Sequence, residues 1–124
     1  MKKIHINLAI VSLLFSLPIL AGCTKAGATG LSSDNVPKVI DHAFNQSSGD
    51  TKAMVSECVS AYQARDVATA FSDLQKLSQH PDLSPEQRAV TARAMAATFP
   101  ILRSASDNGD AAAQAVLHQY LSTR

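Results

Sequence analysis

Hydrophobic positions along this 124-residue chain fall into two regimes. From Leu8 to Leu20 (LAIVSLLFSLPIL) they run nearly unbroken; from Val36 onward they recur every three or four residues, the spacing of amphipathic helices. Val36, Val39, Ile40, Ala43 and Phe44 predict a first helix, with Asn35 placed to cap it and Pro37 in its first turn. After the NQSSGD loop, Asp50 or Thr51 is placed to cap a second helix through Ala64, in which Met54, Cys58, Ala61 and Tyr62 share a face with Val55 and Val59 beside it. Asp66 caps a third, whose stripe of Val67, Ala70, Phe71, Leu74 and Leu77 runs until Pro81 forces an end near Gln79. Ser84, Pro85 and Gln87 form the signature of a capping box, so a fourth helix starts there and extends to about Ser106. Within it Pro100 lacks an amide donor and crowds the carbonyl of Ala96, which predicts a kink or a break. Asn108 and Gly109 close that helix in a left-handed turn, and Asp110 caps a last one carrying Ala113, Val116, Leu117, Tyr120 and Leu121.

The short ARD and DNGD turns imply two antiparallel helix pairs. The expected fold is therefore all-α, a small four- or five-helix bundle or helical-hairpin stack. Composition agrees, with 46% apolar and 17% charged residues, and adds that the core is thin: from residue 23 onward there are 18 alanines and five aromatic residues. The formal charge of +1 hides an asymmetry, because Lys2 and Lys3 stand at the N-terminus and no acid precedes Asp34. Counted from residue 23, nine basic side chains meet ten acidic ones, which leaves no basic stripe for phosphates and disfavours nucleic acid as a partner.

Lys2 and Lys3, the apolar run to Leu20, and the small residues Ala21 and Gly22 have the charge, length and exit of a secretory signal. Thirteen helical residues cover about 20 Å of a roughly 30 Å hydrocarbon layer, too little for a transmembrane anchor. Leu20, Ala21, Gly22 and Cys23 resemble, position for position, the lipobox of bacterial lipoproteins. The resemblance implies that the Cys23 Sγ receives a diacylglyceryl group, that a lipoprotein signal peptidase cuts between Gly22 and Cys23, and that the new amino group is open to acylation. Two or more acyl chains give stable membrane retention, each buried methylene contributing about 0.8 kcal/mol. Thr24, where inner-membrane lipoproteins of enteric bacteria carry Asp, favours the periplasmic face of the outer membrane by the same similarity. Residues 1–22 are thus expected to be a lipoprotein signal peptide, 23–34 a lipidated, Gly/Ser/Thr-rich flexible linker, and 35–124 the helical domain.

The second and third helices also resemble part of a tetratricopeptide repeat, in which Met54, Ala61, Val67, Ala70, Leu74 and Leu77 fit the packing positions. Cys58 and Arg65 stand where that repeat usually has glycine, and no copy follows 34 residues on. Chemistry-bearing patterns are sparse. His42, His80 and His118 sit on different predicted elements without metal-ligand spacing, and His118 is expected to face solvent. Asp66, Asp82 and Asp110 read as cap or loop residues, Glu57 and Glu86 as exposed helix positions, and Cys58 as a buried thiol rather than a redox sensor. No catalytic, cofactor-binding or metal residue is nominated. The expectation is a lipid-anchored, noncatalytic docking or scaffolding module for another envelope protein. The alternatives are a pilotin-like helper for an envelope complex, a membrane-active lipoprotein, and a hydrolase acting on the cell wall.

Overall fold

The periodicity becomes five α-helices in the computed structural model, which describes residues 30–124. The expected signal peptide (1–22), the lipobox-like residues Leu20 to Cys23 and most of the expected linker (23–34) lie outside the described residues. A 3-10 turn, Ser33–Asn35, leads into α1 (Val36–Ala43), followed by α2 (Gly49–Gln63), α3 (Val67–Ser78), α4 (Pro85–Asp107) and α5 (Ala111–Ser122). Among the described residues there is no strand, and no helix is long and apolar enough to cross a membrane. The protein is a small all-α bundle.

Helix α4 packs against α1, α3 and α5, and α2 packs against α1 and α3. Two apolar clusters share α4. The first joins Val36, Ile40 and Phe44 of α1 to Val55 and Cys58 of α2, Leu74 and Leu77 of α3, and Val90 and Ala94 of α4. The second gathers Phe71, Leu102 and Ala113 with half-buried Phe99, Leu117 and Tyr120. Met95 touches both clusters. The Phe71, Phe99 and Tyr120 rings hold α5 to α3 and α4, with Phe71 and Tyr120 edge to face at 5.1 Å between centroids.

The helix starts largely follow the caps read from the sequence. Asp66 accepts from the Thr69 amide, Asp110 from the Ala113 amide, and Ser84 and Gln87 close a reciprocal capping box. Gln87 Nε2 also donates to the Ala43 carbonyl at 3.3 Å, so one side chain serves the start of α4 and the end of α1. Three expectations need correction. Ser48, not Asp50 or Thr51, occupies the cap position of α2, because a left-handed φ of 61° at Gly49 swings the chain into the helix earlier. Ahead of α1, Leu31 packs on the first cluster and Ser33–Asn35 form a 3-10 turn. Asn35 stands at the cap position of α1 without a side-chain hydrogen bond. Finally, Pro100 does not break α4, which runs continuously for 23 residues. Both Pro100 and Ala96, whose carbonyl loses its donor, are exposed, so that carbonyl lies on the solvent side.

The two hairpins close alike. In α2–α3 the Arg65 amide donates to the Tyr62 carbonyl and the Asp66 amide to the Ala61 carbonyl; in α4–α5 the Gly109 amide donates to Ser106 and the Asp110 amide to Ala105. This is the Schellman pattern, which places its penultimate residue in the left-handed region. Gly109 adopts φ 96° freely, whereas Arg65 holds φ 60° with a Cβ. Arg65→Gly should therefore raise stability by about 1 kcal/mol, read as a higher urea midpoint at unchanged m-value.

Candidate functional site

The turn after α2 is also where the surface folds inward. A cleft of about 360 Å³ opens between the start of α1 with the segment leading into it, the α2–α3 turn and the second half of α4. Its rim carries Ser33, Asp34, Gln63 and Arg65, and Pro37, Tyr62, Val67 and Ile101 supply its apolar surface. Ile101 is 38% exposed. Leu102, one position on, takes the core-facing direction and is fully buried, which turns Ile101 outward along α4.

Tyr62 anchors the cleft wall. Its phenol hydrogen-bonds to Thr98 Oγ1, and the Thr98 hydroxyl donates to the Ala94 carbonyl at 2.7 Å. Burial pushes the Tyr62 phenol above its ordinary value of 10.0, the hydrogen bond with Thr98 works against that, and the nearby Cys58 adds to it. The other buried threonine, Thr91, donates to the Gln87 carbonyl at 2.8 Å. Both hydroxyls are thus satisfied by their own helix. The arrangement is a recess of mixed polarity whose wall is fixed by the Tyr62–Thr98–Ala94 hydrogen-bond chain.

Cys58 lies behind this wall at 1% exposure and is free of any disulfide. Its thiol donates to the Ala70 carbonyl at 3.8 Å. Burial first, and the Asp73 charge second, push the thiol up from 9.0 to about 12, so it stays protonated and unreactive in the folded protein. The histidines stay apart. His42 and His118 are exposed on α1 and α5, while His80 sits half-buried in the α3–α4 loop, its Nδ1 accepting from the Asp82 amide. Among the described residues no group of three or more His, Cys, Asp or Glu is placed to hold a metal ion. Cys23 and Gly22 lie outside the described residues.

Two residues carry more than the pattern alone suggested. Ile101 belongs to the Ala-rich run of α4 and Asp73 to α3, and the spacing singles out neither. Asp73 is only 4% exposed; Lys76 Nζ meets its Oδ1 at 3.2 Å, and its Oδ2 has no hydrogen-bond partner. The available signal was its place between the core positions Ala70 and Leu77 and next to Leu74, on the stripe the helix buries. Compared with family models, with curated proteins and with solved structures, the chain matches none.

Two outcomes follow. Asp73→Ala should stabilise the domain by about 1 kcal/mol, because an unpaired buried carboxylate oxygen costs more than a largely exposed lysine bridge returns; thermal unfolding by circular dichroism reads it. For Cys58 the unfolded thiol ionises near 9 and the folded one near 12, so stability is complete below pH 9 and falls as pH rises toward 12. The decline is about 1.4 kcal/mol per pH unit. Urea midpoints measured against pH should show this extra slope in the wild type and not in Cys58→Ala.

Proposed function

We propose that the protein is a lipid-anchored envelope lipoprotein whose helical domain docks another envelope protein without catalysing a reaction. The observation that carries the docking half is the cleft beside Ile101. It presents an exposed large aliphatic side chain next to Tyr62 and Val67, rimmed by Asp34 and Arg65 of opposite charge. An apolar floor with a polar rim is the anatomy of a protein contact: the floor supplies the attraction, and the rim sets register. The address rests on the resemblance of Leu20, Ala21, Gly22 and Cys23 to a lipobox.

The two halves work together through concentration. A cleft of about 360 Å³ buries only part of a partner, so its intrinsic affinity is modest. Confinement to one membrane surface raises the effective concentration of the domain near partners on that surface, and weak contacts then suffice. Recruitment by tether, rather than by tight binding, is the mechanism this reading assigns.

A photo-crosslinking amino acid at Ile101, in otherwise intact protein expressed in its host, should trap a discrete envelope protein, whereas the same probe at exposed Gln114 on α5 should not. Cys23→Ser should remove the crosslink, and intact mass of the wild type should show a chain starting at Cys23 with acyl groups attached. An unmodified chain beginning elsewhere removes the tether from this reading. Equal trapping at both positions removes the cleft.

A further inference from the structure

The two hairpins supply an internal comparison. Both close in the same hydrogen-bond pattern, and both hold one residue at a left-handed φ, 60° at Arg65 and 96° at Gly109. At the α4–α5 turn that residue is glycine, which adopts the conformation without a Cβ clash. At the α2–α3 turn it is arginine, and no contact among the described residues accounts for the choice. The Arg65 side chain is exposed, and among the described residues it meets no carboxylate and no aromatic ring. Its neighbour Asp66 commits both carboxylate oxygens to Thr69, at 3.1 Å from the amide and 2.7 Å from the hydroxyl. What Arg65 does share is the cleft, where it stands on the rim beside the apolar surface of Pro37, Val67 and Ile101. A disfavoured backbone that carries an uncommitted cation to the edge of a recess is the kind of outlier from which a function is inferred.

We propose that Arg65 receives a carboxylate side chain of the docked polypeptide, in a segment whose neighbouring aliphatic residue packs on Ile101 and Val67. This rests on the docking reading of the same cleft and names the chemistry of its partner. Charge fixes the sign: among the described residues Arg65 is the one cation lining the cleft, and a guanidinium offers two parallel N–H donors that match the two oxygens of a carboxylate. Asp34 fixes the class of partner. It stands on the same rim, from the segment ahead of α1, and it too has no ion pair among the described residues. The rim charges therefore cancel, so a surface of uniform negative charge, an anionic bilayer or a nucleic acid, loses at Asp34 what it gains at Arg65. A polypeptide segment places one acid at Arg65 and keeps acids away from Asp34, while its apolar residue supplies the contact with Ile101. On a helical partner the two residues stand three or four positions apart, with about 5–6 Å between their Cβ atoms. A recess of about 360 Å³ accommodates such a pair. The left-handed backbone at residue 65 is thus kept for what its side chain meets in the complex, since glycine would make the same turn and bring no cation.

The test uses full-length protein in its host, with a photo-crosslinking residue of the aliphatic diazirine type at Ile101, which keeps the apolar surface of the cleft. Trapped partner is quantified relative to the amount of the protein itself. Arg65→Gly should lower the yield about fivefold, the scale of one charge pair at a partly exposed site, although the urea midpoint of that variant rises. Weaker trapping by a more stable domain separates the contact from folding. Arg65→Glu should lower the yield further, and Arg65→Lys should retain more of it than Arg65→Gly. Arg93→Ala, which removes an exposed cation elsewhere on α4, should leave it unchanged. Mass spectrometry of the trapped segment should find Asp or Glu within about four residues of the crosslinked position. A yield indifferent to Arg65→Gly and Arg65→Glu, an equal loss in Arg93→Ala, or a trapped segment without an acid overturns the carboxylate assignment and leaves the docking reading standing. A phospholipid adduct in place of a polypeptide, or no discrete adduct at Ile101, overturns both.

Discussion

The bundle depends on α4 remaining one rigid helix across Pro100. At 1.5 Å per residue its 23 residues span about 34 Å, the full length over which α1, α3 and α5 are arranged. Val90 and Ala94 of its first half belong to one apolar cluster and Leu102 of its second half to the other, with Met95 in contact with both. A break at Pro100 would uncouple the clusters. It is avoided because the lost hydrogen bond falls on the exposed side, while the buried hydroxyls of Thr91 and Thr98 return to carbonyls of their own helix. The alanine-rich composition that thins the core is therefore compensated by continuity: a long helix with small side chains lets three neighbours approach it closely.

The same economy governs the α2–α3 hairpin. Its turn satisfies the last carbonyls of α2 and caps α3 within three residues, at the cost of one left-handed arginine. On one side of that turn lies the cleft with Ile101, Tyr62 and Arg65; on the other lies a groove with Ala64, Asp66 and Asp73. Among the described residues, Asp73 Oδ2 is the buried side-chain polar atom without a hydrogen-bond partner. An unsatisfied buried oxygen is a standing cost to the domain. The docking reading rests on a different feature, an apolar side chain at Ile101 that the fold leaves incompletely covered.

Much of the architecture was legible in local chemistry. Helix type and order follow from three-and-four spacing, and the starts at Asp66, Ser84 and Asp110 follow from side chains that satisfy amides within the next turn. Such signals are readable because cause and effect lie within four residues of each other. Features set by distant residues or by backbone conformation have the opposite origin. Leu31 reads as one apolar residue in a polar leash until the first cluster is assembled around it, and Gly49 reads as a loop residue until its left-handed φ is seen to start α2.

What the sequence by itself determined, then, is helical class, the order of the helices and most of their caps, together with the lipobox resemblance that proposes an address for the chain. Only the tertiary structure decided which polar residues are exposed and which are trapped. Asp73 and Asp82 are chemically identical, yet one is almost fully buried and the other exposed, because burial depends on what residues distant in sequence pack alongside. The outward turn of Ile101 and the survival of α4 through Pro100 belong to the same kind. A periodic pattern says that a helix has an inner face; where that face ends is set by the neighbours that pack against it.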